Sequence, residues 1–233
     1  FELLLRLKAN TIWPAMHEGT IAFFNFPGNA KIAEAYQIVV GSSHAEPMLR
    51  NNVDEWKEKE MGHFNYVSNR ENVYKYWEDR VRESKNVDAI FTIGMRGVHD
   101  SKMEGVKDNK EGAELLKQII KDQRKLFETY INPDPTKVPQ AFTVYKEVLE
   151  LYDEGLQVPD DVTLVWTDDN YGYIRRLSNP EEQKRSGGGG VYYHASYWGR
   201  PHDYLWVDSV HPSLIREEMM KAYQANCKEI WIL

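Results

Sequence analysis

The sequence predicts an α/β protein built from repeated strand–helix units, most simply a (β/α)8 barrel of the TIM type. Short apolar runs alternate with longer amphipathic runs along the 233 residues, as in βαβ units of a parallel sheet or barrel. With 42% hydrophobic residues, the chain can bury the core of one such domain. An open doubly wound sheet is the structural alternative, but no glycine-rich phosphate loop follows the first apolar run.

Seven apolar runs have the length of buried strands, and turn residues or polar residues bound each of them. The predicted strands are residues 11–16, 37–42, 88–94, 140–145, 162–166, 190–193 and 229–233. Gly187–Gly190 precedes a strand and does not join a strand to a helix, so we interpret it as a flexible loop rather than a phosphate site.

Between the strands, apolar residues recur at spacings of three and four, which is typical of helices with one buried face. The positions that define these helices are Phe1, Leu4 and Leu5, then Val73, Trp77 and Val81, then Leu116, Ile119, Ile120 and Phe127, and after Pro212 the residues Ile215, Met219, Ala222 and Tyr223. An opening helix followed by seven strands corresponds to an eightfold barrel without its first strand and its last helix. We therefore expect residues 1–233 to form a single, truncated domain.

Charge and cysteine content exclude several classes of function. The formal net charge of -7 would repel a polyphosphate backbone, so we expect no nucleic-acid partner. The one cysteine, Cys227, cannot form an intrachain disulfide. No apolar run approaches the roughly 18 residues that a membrane helix needs, so we expect no membrane partner.

Polar and aromatic residues crowd the positions after the predicted strands, where a barrel of this class forms its active site. They are Trp13 on the second barrel strand, His44 and Glu46 after the third, Arg96 and Asp100 after the fourth, Tyr145 and Glu147 after the fifth, Asp168, Asp169 and Asn170 after the sixth, and His194, Tyr197 and Trp198 after the seventh. Each residue alone could be a helix cap or a solvated turn. Their recurrence at six consecutive strand ends favours a site.

The residue types suit a carbohydrate, because rings stack on sugar C–H faces and acids bond to hydroxyl groups. Glycosidic cleavage normally uses two carboxyl groups, and Asp100 and Glu147 follow neighbouring strands. Without a catalytic role, Asp100 could cap a turn, and Glu147 could lie in the first turn of a helix, where its charge suits the helix dipole. Arg96 can clamp a carboxylate with two parallel hydrogen bonds or form a structural ion pair, and Lys146 and Arg200 are weaker candidates for the clamp.

Neither a metal nor a cofactor is predicted. His44, Glu46, Asp168 and His194 are of ligand types, but no H-x-H or H-E-x-x-H spacing occurs.

Five long segments carry a resemblance to a known family. They are residues 4–16, 40–52, 92–97, 158–172 and 192–201, which include Trp-Pro-Ala-Met, Ser-His-Ala-Glu-Pro-Met and Trp-Thr-Asp-Asp-Asn-Tyr-Gly. These segments strongly resemble glycoside hydrolase family 115, the xylan α-1,2-glucuronidases.

The resemblance implies a barrel catalytic domain inside a larger multidomain enzyme, which releases glucuronic or 4-O-methylglucuronic acid from xylan or glucuronoxylan with inversion. The site positions that match the family are Trp13, His44, Asp100, Tyr145 and Glu147. It leaves open which carboxyl group is the acid and which is the base. The polymeric substrate implies secretion or a periplasmic location, and a homodimer is one assembly that stays open for the full-length protein.

Two departures from the family pattern leave substrate length and methylation preference open: the loop His17–Gly28 after Trp-Pro-Ala-Met, and Val98-His-Asp100. The family also supplies an acidic residue from the missing first strand. Because unpaired sheet edges would remain, we expect residues 1–233 in isolation to be poorly stable and inactive.

Two other functions stay open at this point. The chain could belong to another barrel glycosidase, for instance one acting on amino sugars, for which a carboxyl spacing near ~5 Å would be typical. It could also be a non-catalytic carbohydrate-binding relative that keeps the aromatic rings and has lost acid/base chemistry.

Overall fold

A computed structural model of the chain describes residues 1–199 and 206–233. These residues divide into two compact units, a first unit of residues 1–140 and 150–158 and a second unit of residues 141–149 and 159–233. Both units combine helices with parallel strands, which confirms the α/β class that the sequence predicts.

In the first unit, short strands alternate with helices. The elements are α1 (Glu2–Arg6), β1 (Thr11–Ile12), α2 (Asn29–Ala35), β2 (Val39–Val40), α3 (Asn52–Glu55), α4 (Glu58–Met61), α5 (Arg70–Ser84), β3 (Phe91–Thr92) and α6 (Asn109–Tyr130). β1 pairs with β2 in parallel, and Val40 forms a parallel bridge to Ala89 at the approach to β3.

The first three strands are shorter than the sequence pattern predicts, because the backbone leaves the extended conformation inside the apolar runs. Gln37 has a φ of 54° and Gly94 a φ of 97°, and neither value belongs to a strand. Pro14 has no N–H group to donate to a ladder. Apolar periodicity therefore locates these strands and overestimates their length.

Burial confirms the predicted apolar faces of α5 and α6, whereas α1 forms where it was predicted but has no buried residue, and its Leu5 is 41% exposed. Val73, Trp77 and Val81 lie on one face of α5 and are all fully buried. α6 begins after Asp108, whose side chain accepts a hydrogen bond from the Glu111 N–H group and so caps the helix.

The second unit is a parallel sheet with its connecting helices. Its elements are β4 (Gln140–Val144), the start of α7 (Glu147–Asp153), β5 (Thr163–Thr167), β6 (Gly189–Tyr192), α8 (Pro212–Gln224) and β7 (Cys227–Ile232). β4, β5, β6 and β7 pair in parallel in chain order, and each overlaps the strand predicted for it. In parallel strands of consecutive order, the carboxyl ends lie at one edge of the sheet.

The interpretation of Gly187–Gly190 as a flexible loop is wrong for Gly189, while Gly190 lies in a strand as the predicted strand 190–193 has it. Gly189 and Gly190 are the first residues of β6, and both are buried. A Cβ atom on Gly190 would lie 2.4 Å from Cγ2 of Ile230 on β7, so the neighbouring strand leaves no room for a side chain.

Gly41, directly after β2, allows the Trp13 ring to lie against the backbone. Its N–H group donates to the carbonyl of Ile12 at 2.9 Å, which continues the pairing of β1 with β2. A Cβ atom at position 41 would lie 2.3 Å from Nε1 and 2.5 Å from Cδ1 of Trp13. The orientation of Trp13 thus depends on a glycine at this position.

We expect Gly41→Ala to displace the Trp13 ring and to lower the free energy of unfolding by about 1–3 kcal/mol, as overpacking does. Urea unfolding followed by tryptophan fluorescence measures both effects. Gly112→Ala in α6 is the matched control, because its Cβ would lie 3.5 Å from Cδ2 of Leu151, an ordinary contact. Because alanine favours a helix over glycine, this control should raise the free energy of unfolding by up to about 1 kcal/mol. Equal effects of the two substitutions would contradict the interpretation of Gly41.

Candidate active site

In the first unit, His44, Arg96 and Asp100 form one cluster, called here the Asp100 cluster. His44 Nε2 and Asp100 Oδ1 are hydrogen-bonded at 2.8 Å, and Arg96 forms an ion pair with the same carboxylate. The Arg96 side chain is 3% exposed and the Asp100 side chain 24% exposed, so the arginine is the deeper member. The carboxylate of Asp100 is therefore held by two cationic or hydrogen-bonding partners while part of it stays accessible.

A tight turn after β3 brings Asp100 to this position. Gly97 donates its N–H group to the Ser101 carbonyl at 2.9 Å, and a Cβ atom on Gly97 would lie 2.1 Å from Ser101 Oγ. His99 and Asp100 both have left-handed backbone angles, with φ of 59° and 60°. Such angles are costly for residues other than glycine, and they often mark functional sites.

The segment that carries His44 is fastened to β3 and to the loop after β1. Thr92 donates its hydroxyl to the Ser42 carbonyl, and Ser43 Oγ donates to Met16 Sδ at 2.6 Å. These two bonds hold the segment on the amino side of His44 in place. The imidazole of His44 therefore contacts Asp100 from a backbone whose position is fixed.

Glu46 is buried, with 2% of the residue exposed, and it lines a small cavity together with Met16 and Ser42. One carboxylate oxygen accepts a hydrogen bond from the Asn52 N–H group. The pKa of Glu46 is raised to about 8, mainly because of burial; the Asn52 bond acts to lower it and the charge of Glu55 to raise it. Substrate contact by Glu46 stays a prediction.

In the second unit, Asp168 and His194 form a buried pair. Oδ1 of Asp168 lies 2.6 Å from His194 Nδ1 and accepts from the His194 N–H group at 3.1 Å. Oδ2 accepts from the Gly172 N–H group at 3.0 Å. Because a carboxylate accepts, this geometry places a proton on Nδ1 of the imidazole. Asp168 therefore orients the His194 ring.

Asp169 and Asn170, the next two residues, have different partners. Asp169 accepts from the N–H groups of Tyr171 and Tyr173 and from the guanidinium of Arg175, the last at 2.8 and 3.0 Å. Burial acts to raise the pKa of Asp169, but the bonds from Arg175 and the two N–H groups outweigh it, so the pKa is lowered. Asp169 thus stabilises the turn after β5.

Tyr145 and Asn170 connect two strand ends of the second unit. The Tyr145 hydroxyl donates to Asn170 Oδ1 at 3.1 Å, and Asn170 has a left-handed φ of 71°. Lys146 also has a left-handed φ, of 52°, and its Nζ lies 4.8 Å from the centre of the Tyr145 ring. Glu147 begins α7 and is partly exposed, so its first-turn position is confirmed and its catalytic role stays a prediction.

Aromatic rings surround His194. The Tyr197 ring meets the imidazole edge-on at 5.3 Å between centroids, and the Tyr192 ring lies at 4.7 Å. Trp198 is 60% exposed, and its Nε1 donates to the Trp206 carbonyl at 2.9 Å. Arg200 lies outside the described residues.

Sequence reasoning missed several residues near these strand ends. A cavity of about 270 Å³ in the second unit is lined by Tyr145, Lys146, Asp169, Asn170, Arg175 and Arg176, among others. The two arginines belong to the segment after β5 and follow no strand directly, which is why a search of strand ends omits them. The sequence pattern assigned Tyr192 to a strand and to no site, but its ring lies beside His194. Burial raises the pKa of its hydroxyl to about 12.

Within residues 1–199 and 206–233, no group of three or more His, Cys, Asp or Glu side chains has an arrangement that could hold a metal ion. Over the same residues, no helix has both the length and the apolar character needed to cross a bilayer.

Parallel strands connected by helices define the class of this protein as an α/β protein, and polar groups and aromatic rings follow the carboxyl ends of its strands. Residues 1–233 match the model of Glycosyl hydrolase family 115, and the chain belongs to that family. This confirms the family that the sequence segments indicate.

One solved structure similar to the chain is described as a novel family GH115 4-O-methyl-α-glucuronidase with specificity for decorated arabinogalactans. The two are 54% identical in sequence, with a TM-score of 0.96. The match covers 100% of this chain and 31% of that one, so the chain spans about a third of the relative's length. A comparison with curated proteins found no match.

We expect Glu46→Gln to flatten the pH dependence of stability. The pKa of Glu46 is raised from 4.5 to about 8, so the unfolded state releases this proton at lower pH than the folded state. Wild-type stability should fall between pH 4.5 and 8, by roughly 1.4 kcal/mol per pH unit at most.

The measurement is the free energy of unfolding of both proteins at several pH values in that interval. Glu104→Gln, which changes an exposed carboxylate, is the control and should keep the wild-type slope. If the free energy of unfolding of Glu46→Gln depends on pH as steeply as that of the wild type, Glu46 is not a buried, protonated residue.

Proposed function

We propose that this chain belongs to a glycoside hydrolase that releases α-1,2-linked glucuronic or 4-O-methylglucuronic acid from xylan or glucuronoxylan. Family membership and the 54% identical α-glucuronidase support the reaction class. The observation that carries the proposal is the Asp100 cluster, in which a partly accessible carboxylate is held by His44 and Arg96.

The proposed chemistry uses Asp100 and Glu147 as its two carboxyl groups. One protonates the leaving glycosidic oxygen and the other activates water, which gives inversion when the two groups are roughly 6.5–9.5 Å apart. His44 and Arg96 orient Asp100, and the guanidinium of Arg96 is of the type that binds a uronic acid carboxylate. Glu147 stands at the first position of α7, where the helix dipole favours its negative charge.

The remaining residues are proposed to bind sugar. Trp13, Tyr145, Tyr197 and Trp198 provide rings for stacking, and His194, oriented by Asp168, provides a hydrogen-bonding imidazole. Further proposed contacts are Glu46, Asp169, Asn170 and Arg200. The proposal includes no metal and no cofactor.

We further propose that residues 1–233 form part of one (β/α)8 barrel catalytic domain in a larger multidomain enzyme. The alternation of helices with parallel strands supports this. The proposal also includes a secreted or periplasmic location, because the substrate is a polymer, and it leaves a homodimer open for the full-length protein.

We expect Asp100→Ala and Glu147→Ala, made singly in the full-length enzyme, each to lower the rate of glucuronic acid release about a hundred- to ten-thousand-fold, as loss of an acid or base does. Colorimetric detection of released uronic acid from glucuronoxylan measures the rate. Glu150→Ala, an exposed change in α7, and Glu104→Ala are the matched controls and should keep the wild-type rate. If a folded Asp100→Ala or Glu147→Ala enzyme keeps that rate, the assigned pair is wrong.

A second candidate substrate comes from the solved relative, whose described specificity is for decorated arabinogalactans. We therefore expect the full-length enzyme to release 4-O-methylglucuronic acid from both glucuronoxylan and arabinogalactan oligosaccharides, with a difference in kcat/KM that identifies the preferred polymer. Both activities should disappear in Glu147→Ala, because one site serves both. Release from arabinogalactan alone would remove xylan from the proposal, and release from neither would overturn the glucuronidase assignment.

A further inference from the structure

Gln123 is a polar residue in the middle of an apolar helix face. It lies on α6 at spacings of three and four residues from Ile119, Ile120 and Phe127, which are all buried. Gln123 itself is 0% exposed. A buried amide is costly unless its donors and acceptor are satisfied, so its partners need an explanation.

Both ends of the Gln123 amide bind the backbone of one residue, Gly94. The Gly94 N–H group donates to Gln123 Oε1 at 2.7 Å, and Gln123 Nε2 donates to the Gly94 carbonyl at 2.8 Å. This reciprocal pair reproduces what a neighbouring strand offers in a sheet. Gln123 thus takes the place of a strand partner just after β3.

The conformation of Gly94 explains why a side chain is used here. Its φ of 97° turns the chain away from the extended form, so the ladder of β3 cannot continue through it. Its N–H and carbonyl groups are buried, and each would lose a hydrogen bond without Gln123.

Two residues beyond Gly94 the chain reaches Arg96, whose guanidinium forms the ion pair with Asp100. The Thr92 hydroxyl, bound to the Ser42 carbonyl, fixes the chain on the other side of Gly94. The direction in which the backbone leaves Gly94 therefore sets where the Arg96 side chain lies.

We propose that Gln123 is a positioning residue for catalysis, which clamps the backbone of Gly94 and thereby holds Arg96 against Asp100. The inference rests on the proposed function, because it gives Arg96 and Asp100 roles in the reaction. Gln123 touches neither the substrate nor the reacting atoms in this proposal, and it acts only through the segment from Gly94 to Arg96.

The first test is Gln123→Met in the full-length enzyme, which keeps the length of the side chain and removes both hydrogen bonds. We expect kcat to fall about 10- to 100-fold, as for a misplacement on the order of 1 Å, with KM changed less than about threefold. Gln118→Met, on an exposed position of the same helix, should keep the wild-type kcat. Leu126→Val, which shortens a buried side chain three residues further along α6, should lower the unfolding temperature and keep kcat.

The second test asks whether the effect passes through Arg96. In an Arg96→Lys background, which keeps a charge, Gln123→Met should lower kcat by less than about twofold further, because coupled residues are not additive. Hydrogen exchange of residues 93–97 should be faster in Gln123→Met and unchanged in Leu126→Val, and this readout needs no activity. If Gln123→Met fails to fold, Gln123→Leu, which also removes both hydrogen bonds and is a good helix former, should still lower kcat at least about tenfold.

A wild-type kcat in a folded Gln123 variant, or equal losses in the presence and absence of Arg96, would overturn the positioning role. Failure of the proposed function is seen separately, because it shows as wild-type activity in Asp100→Ala or Glu147→Ala, or as no release from either polymer by the wild-type enzyme.

Discussion

The buried guanidinium of Arg96 is the constraint on which the first unit depends. A buried cation is tolerated only when it is paired and hydrogen-bonded, and its partner is Asp100. To form this pair, the chain turns sharply after β3 at Gly94 and again at the two left-handed residues His99 and Asp100. The strained backbone and the accessible carboxylate are thus parts of one arrangement, which the remaining packing of the unit must maintain.

The second unit meets a similar requirement with a buried acid. Asp168 accepts two backbone N–H groups and the Nδ1 proton of His194, so its carboxylate is satisfied without solvent. The fixed acid gives the imidazole one orientation, with its Nδ1 directed at the carboxylate. In both units a fully buried group orients a more exposed one, which is how a preorganised site is supported.

Similarity to known proteins identifies the family of this chain, and the geometry of the site identifies the side chains that could act in it. The family model and the solved relative establish that the chain belongs to Glycosyl hydrolase family 115. The geometry explains which side chains in this chain can orient a carboxylate, an imidazole or a ring. Which polymer the enzyme prefers depends on contacts with several sugar units at once. The comparison of kcat/KM on glucuronoxylan and arabinogalactan therefore identifies it.

The sequence by itself determined the α/β class, the seven strands and the buried faces of α5 and α6, because periodicity reports directly which side of an element meets the core. It also placed His44 and Asp100 at strand ends. Only the tertiary structure decided that these two are hydrogen-bonded across 56 positions of sequence, that Glu46 is buried, and that Gln123 clamps Gly94. Such pairings depend on where separate elements meet and on single backbone angles, neither of which a local pattern records.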